Sequence, residues 1–387
     1  MQTIYLDNAA TSFPKAPTVV SEMCRYLSNI GGNLGRGSYG AATEAELTVL
    51  TLRERLSEMF GSPDVEACIF TPGATWGLNL VLKGFLNPGD HVLVSAMEHN
   101  AVMRPLNSLA GIDVEKVPCA PDGTLQMADF AVRIQPKTRL VCMTHASNVC
   151  GTLLPVEEIG ALCSSRGIAF VIDAAQTAGH IPLHREALCA DALILPAHKG
   201  LLGPQGIGAV LMSAKFARQV RSFIEGGTGS RSNLETQPLE LPDKFEAGTQ
   251  NIPGMYGFLA GLDYVRLHME HIHTHAMRLC GLLLESANHL PHTRILGKPS
   301  LEGRMPVVAL DFDGLDNAMV ADRLSHDFGI ATRCGLHCAP SAHQTLGSFP
   351  QGAVRFSIGA FNTEEDIQAT IRALHVIVTD RHSFAQA

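Results

Sequence analysis

The sequence is short of charge and of aromatic rings. Asp, Glu, Lys and Arg make up 17% of the 387 residues, and Phe, Tyr and Trp only 6%. Lysine is scarcer still, at eight residues. The balance of charge is acidic, at −8, so the chain lacks the basic face that holds DNA or RNA, and no nucleic-acid partner is expected. No apolar run reaches the roughly 20 residues of a membrane span. The opening MQTIYLDNAATS has neither the basic nor the apolar region of a secretory signal. The expectation is a cytoplasmic protein without a membrane segment. Its ten cysteines are then reduced thiols, not a disulfide framework. Internal repeats and low-complexity tracts are also absent. What is there is 46% hydrophobic residues in a length that suits more than one domain and a large core.

The middle of the chain alternates short apolar runs with amphipathic stretches. RLVCM (139–143), AFVI (169–172) and ALIL (192–195) have strand character, and 155–166 between the first two has apolar residues at helical spacing. Strand, helix, strand at this rhythm predicts an α/β fold with a parallel sheet and covering helices. Each run ends in chemically capable residues: HASN, DAAQ and PAHKG. Open parallel sheets bind ligands at the carboxyl ends of their strands, so the three segments converge on one edge. Residues 226–254 have the composition of a long loop, 256–290 of a helix, and 307–378 return to a β/α pattern. The expected division is a large domain of 15–258 and a small C-terminal α/β domain of 259–387 joined by residues 1–14.

Of the lysines, only Lys199 follows a buried-looking strand among small residues and histidine. Burial there eases loss of its proton and suits Schiff-base chemistry. Asp173, Gln176, His198 and Lys199 lie at neighbouring strand ends. That set meets the needs of pyridoxal 5′-phosphate: a lysine for the covalent link, an acid opposite the pyridine nitrogen, and polar donors for the rest. TPGAT (71–75), between an apolar run and a helical stretch, can offer the phosphate a helix N-terminus.

Several further motifs make the pattern specific. YLDNAATSFP (5–14), EHNA (98–101), ASNVCG (146–151), VIDAAQ (171–176), HKGLLGPQGIG (198–208), FEAGTQN (245–251), RCGLHCAP (333–340) and RFSIGAFNT (355–363) occur in this order. Together they resemble the cysteine desulfurase family, the class V branch of the fold-type I pyridoxal-phosphate enzymes, whose pattern selenocysteine lyases share. The short interval between the last two motifs resembles the group II branch. The resemblance implies a large domain with a mostly parallel central sheet, a smaller C-terminal domain, and conversion of L-cysteine to L-alanine with a persulfide passed to an acceptor. It implies that Lys199 links the cofactor, His99 stacks on its ring, Asp173 pairs with the ring nitrogen and Gln176 bonds the phenolic oxygen. Thr75 and His198 bind the phosphate, with Thr249 reaching across from the second subunit of a homodimer. Asn148 and Arg355 position the substrate carboxylate, Arg36 and Arg333 line the substrate site, and Cys338 is the catalytic thiol.

The chain departs from that pattern at four places. Ala74 stands where the first threonine of the phosphate pair is usual, and Pro196 where a phosphate-binding serine is usual. Leu336 replaces the first histidine of His-His-Cys, and Cys334 is an extra thiol. Arg333 or a protonated His337 beside Cys334 and Cys338 would favour the thiolate of either. Alternatives are L-selenocysteine as substrate, another class V activity, and a carrier or zinc site built from Cys334, His337, Cys338 and His343. A Cys–His hydrolase using His337 and Cys338 is a further one. Cys24, Cys68, Cys142, Cys163, Cys189 and Cys280 are expected as core fillers, Cys150 is left open between the core and a wall of the site because it follows Asn148 closely, and histidines 268, 271, 273 and 275 are expected as a solvated helix face.

Overall fold

The computed structural model describes residues 3–35 and 37–380. Thirteen strands are present among them. They are β1 (Ile4–Tyr5), β2 (Cys68–Thr71), β3 (His91–Ser95), β4 (Asp113–Val117), β5 (Thr138–Thr144), β6 (Ala169–Asp173), β7 (Ala192–Pro196), β8 (Gly208–Met212), β9 (Thr293–Leu296), β10 (Val307–Phe312), β11 (Ile330–Ala331), β12 (Arg333–Gly335) and β13 (Ala353–Ser357). Seven form one sheet in the order β2-β8-β7-β6-β5-β3-β4. β8 runs antiparallel to both of its neighbours, and the remaining pairs are parallel. The central strands β5 to β8 are apolar on both faces and almost wholly buried, as a sheet covered by helices on two sides requires.

The second sheet, β12-β13-β10-β9, is antiparallel throughout. The N-terminal strand β1 pairs with β11 beside it. The helix Ile252–His289 runs through the expected boundary at 258/259 without a break. Its first half, from Met255 to Ile272, packs into the core of the large sheet, and Ala276 to Ala287 pack into that of the small one. The change of partner thus falls inside one helix, between Ile272 and Ala276. A continuous helix ties the two cores together more stiffly than a loop would.

Two expectations about side chains fail here. Cys24 and Cys189 are exposed, not core fillers. The histidines of the long helix are not one solvated face, because His275 Nε2 lies 2.7 Å from the Asn362 carbonyl and His273 is partly buried.

Candidate active site

β2, β3, β5, β6 and β7 all end at the same edge of the large sheet, because antiparallel β8 returns the chain between β7 and β2. Their carboxyl ends deliver Ala74 and Thr75, His99, Asn148, Asp173 and Gln176, and His198 and Lys199. The small domain faces this edge with Arg333 on β12, Arg355 on β13 and the turn that carries Cys338. All of these residues line one cavity of about 480 Å³. Of the expected site residues, Thr249 does not line it. Thr249 is exposed and lies on a separate, mainly apolar pocket with Trp76 and Phe223. Arg36 lies outside the described residues.

Lys199 is half-buried at the wall of the cavity. Burial pushes its amine down to about 8, with Asp173 opposing and Arg355 assisting the shift. Asp173 Oδ1 accepts the Ala175 amide at 3.0 Å. Burial raises its carboxyl, while that amide and Lys199 restrain the rise. His99 caps the helix Asn100–Ser108, its Nδ1 accepting the Ala101 amide at 3.0 Å. Burial, with Lys199 and Arg355 nearby, lowers the imidazole to about 4. The ring is therefore neutral with its hydrogen on Nε2. Gln176 is held by its Nε2 donating to the Ala9 carbonyl at 3.1 Å.

On the same edge of the sheet, the helix Ala74–Phe85 begins after Gly73, whose φ of 153° is open to glycine. The first amides of a helix have no partner within it, which suits an anion. Ala74 and Pro196 line the cavity without a donor in their side chains. The Nδ1 of His198 is buried and has no hydrogen-bond partner, so a polar group is missing there.

Sequence reasoning missed Asp7, which ties together the two arginines of the cavity. Its carboxylate accepts Arg333 Nε and Nη2 at 3.0 and 2.8 Å and Arg355 Nη2 at 2.9 Å. Arg355 Nη1 donates to the Asn148 carbonyl at 2.9 Å, and its Nε is buried without a partner. Asp7 stands within a quoted motif, but nothing local signals partners 326 and 348 residues away. Two other residues were missed. Lys15 Nζ donates to the His198 carbonyl at 3.0 Å and braces the lysine strand end. Glu98, buried next to His99 in sequence, accepts Ser95 Oγ at 2.5 Å and the Thr144 amide at 2.9 Å. Burial pushes its carboxyl up to about 8.

The thiols also separate. Cys338 is exposed and lines the cavity. Cys334 packs beside the core of the small domain, and burial with Asp316 nearby raises its thiol. Cys150 is fully buried with its Sγ 3.3 Å from Thr152 Oγ1, so it is not a wall of the site. The expected protonated His337 is corrected as well. Burial and Arg355 push it down to about 3, so the imidazole is neutral and offers no positive charge to either thiol.

The family model for class V aminotransferases matches residues 4–370. A probable cysteine desulfurase of Vibrio cholerae is 31% identical over 386 residues, covering 97% of this chain and 93% of that protein. One from Methanothermobacter thermautotrophicus is 32% identical, covering 94% and 92%. The apo structure of a cysteine desulfurase from Thermococcus onnurineus superposes with a TM-score of 0.91 at 30% identity, covering 97% and 95%. The chain belongs to the class V aminotransferase family and, within it, to the cysteine desulfurases.

Proposed function

We propose that this chain is a pyridoxal-phosphate-dependent cysteine desulfurase that converts L-cysteine to L-alanine and carries the sulfur as a persulfide on Cys338. The observation that supports it most is one cavity holding a half-buried lysine, a buried carboxylate, two arginines and an accessible cysteine. Those residues fit the cofactor. Lys199 would link it, Asp173 would face its ring nitrogen, His99 its ring and Gln176 its phenolic oxygen. His198, whose Nδ1 is unpartnered, and the Thr75 end of the helix would hold its phosphate. When bound, it supplies an electron sink that makes the substrate Cα–H acidic.

The protein's part is binding and proton transfer. Arg355 binds the substrate carboxylate, which the neighbouring Arg333 also attracts. Lys199 Nζ, poised near neutrality, takes the Cα proton and returns it. Cys338 Sγ, as thiolate, attacks the substrate sulfur; the breaking sulfur–Cβ bond leaves its electron pair on the substrate, Cβ takes a proton to become a methyl group, and alanine leaves with the persulfide kept on Cys338. We assign Thr249 to the site of a partner subunit, in a homodimer with composite sites. An acceptor thiol would then discharge the persulfide.

The test is mass analysis of the purified holoenzyme after L-cysteine, together with an alanine assay. A gain of one sulfur on the Cys338 peptide and stoichiometric alanine support the reading. Cys338→Ser should abolish both and leave the cofactor absorbance intact, while Cys334→Ser should keep both. A persulfide on Cys334, or alanine released undiminished by Cys338→Ser, would overturn it.

A further inference from the structure

Cys338 sits on an unusual turn. His337 and Cys338 both adopt left-handed backbone conformations, with φ of 49° and 56°, although neither is glycine. Side chains rarely accept that region, so the surroundings must hold the turn. Its backbone is held at two points: Asn148 Nδ2 donates to the His337 carbonyl and the Asn100 amide to the Cys338 carbonyl, both at 2.7 Å. The third hold is the His337 ring, and it leads away from the cavity.

His337 Nε2 lies 3.1 Å from the Arg333 carbonyl, His337 Nδ1 3.2 Å from His343 Nε2, and His343 Nδ1 2.7 Å from Ser348 Oγ. His343 is fully buried and His337 nearly so. Burial keeps both imidazoles neutral, His337 at about 3 and His343 at about 4. The hydrogens then follow from the ends. A carbonyl only accepts, so His337 carries its hydrogen on Nε2 and leaves Nδ1 bare. His343 must donate to that Nδ1 from Nε2, and its own Nδ1 accepts the Ser348 hydroxyl. The series runs one way, from Ser348 through His343 and His337 to the Arg333 carbonyl, which is five residues before the thiol and inside the same strap. Both ring nitrogens of each histidine are engaged, so neither ring is a free zinc ligand.

We propose that His343, oriented by Ser348, is a positioning residue for Cys338: it fixes the His337 ring, and with it the strap from Arg333 to Cys338, so that the thiol is presented to the cavity. It does so from outside the cavity, which it does not line. The proposal rests on Cys338 acting as the sulfur-accepting thiol. Arg355 and Lys199 are anchored on other strands, and the Arg333 side chain is held separately by Asp7, so substrate and cofactor binding should depend little on His343.

The experiment compares His343→Leu, His343→Gln and Ser348→Ala holoenzymes with the unaltered protein. Gln can place an amide N–H where Nε2 stood and an oxygen that accepts from Ser348. Leu can do neither. For His343→Leu, kcat with L-cysteine should fall about ten- to a hundredfold, as for a misplaced reacting group, with KM changed less than about twofold. The rate of Cys338 alkylation by iodoacetamide, read by mass analysis, should change with it, and the cofactor absorbance should not. Gln should restore most of both rates, and Ser348→Ala should be intermediate. Should the Leu variant not fold, the Gln and Ser348 variants carry the comparison. Unchanged kcat and alkylation in His343→Leu, a loss confined to KM, or a Gln variant as impaired as Leu would overturn the proposal. The alkylation arm needs no substrate. If the unaltered protein releases no alanine, the functional reading fails while the positioning of Cys338 is still measured.

Discussion

Asp7 shows how one residue governs others that have no sequence relation to it. It neutralises part of the charge of two arginines at the substrate end, one of them buried. Asp7→Asn would leave the Arg355 guanidinium buried without a counter-charge. The expected loss of stability, measured by denaturant unfolding, is about 3 kcal/mol. Lys199 offers a second measurement at this scale. In the protein without cofactor, labelling by an amine reagent should rise through pH 8 and level off above it, because only the neutral amine reacts. Exposed lysines should keep gaining reactivity up to about pH 10. Asp173→Asn removes the carboxylate that helps retain the proton, so the midpoint should move lower still. A Lys199 profile identical to that of the exposed lysines would contradict the burial argument.

The long loop before the helix Ile252–His289 is irregular, yet it is pinned to β2. Glu246 pairs with Arg53, and its other oxygen accepts the Phe70 amide on β2 at 2.6 Å. Both side chains are nearly inaccessible, so breaking the pair strands a buried charge. Glu246→Ala should cost about 3–5 kcal/mol and loosen the loop, read by faster amide exchange across 245–251. The capping box at the start of the last helix is a smaller case. Thr363 and Asp366 satisfy each other's backbone amides there. Thr363→Ala should cost about 1 kcal/mol in thermal or denaturant unfolding, with activity unchanged.

For the whole molecule, the assembly should govern cofactor retention. Thr249 is exposed beside a pocket with Trp76, Phe223 and Ile224, large apolar side chains that are 40–43% accessible in the single chain. Apolar groups clustered in this way mark interaction surfaces. Sedimentation should give twice 41.4 kDa. Thr249→Ala should weaken pyridoxal-phosphate affinity about tenfold, by the loss of a hydrogen bond of roughly 1.5 kcal/mol to a charged group. A monomer with full affinity would refute the composite site.

The sequence by itself determined the strands and what stands at their ends. The runs at 139–143, 169–172 and 192–195 became β5, β6 and β7 within a residue or so, because apolar β-rich stretches between turn signals have few other ways to bury themselves. Lys199, Asp173 and Cys338 were legible for a related reason: their chemistry is local to short motifs. Tertiary structure decided what depends on distant partners. Asp7 gained its role from two arginines near the other end of the chain, and His343 from a hydrogen-bonded imidazole six residues away in a turned strap. The protonation of His337 was decided likewise, because burial is a property of the packed fold and the motif RCGLHCAP does not encode it. Cys24 and Cys189 went to the surface for the converse reason: an apolar neighbourhood in sequence does not say which face of an element the core will cover.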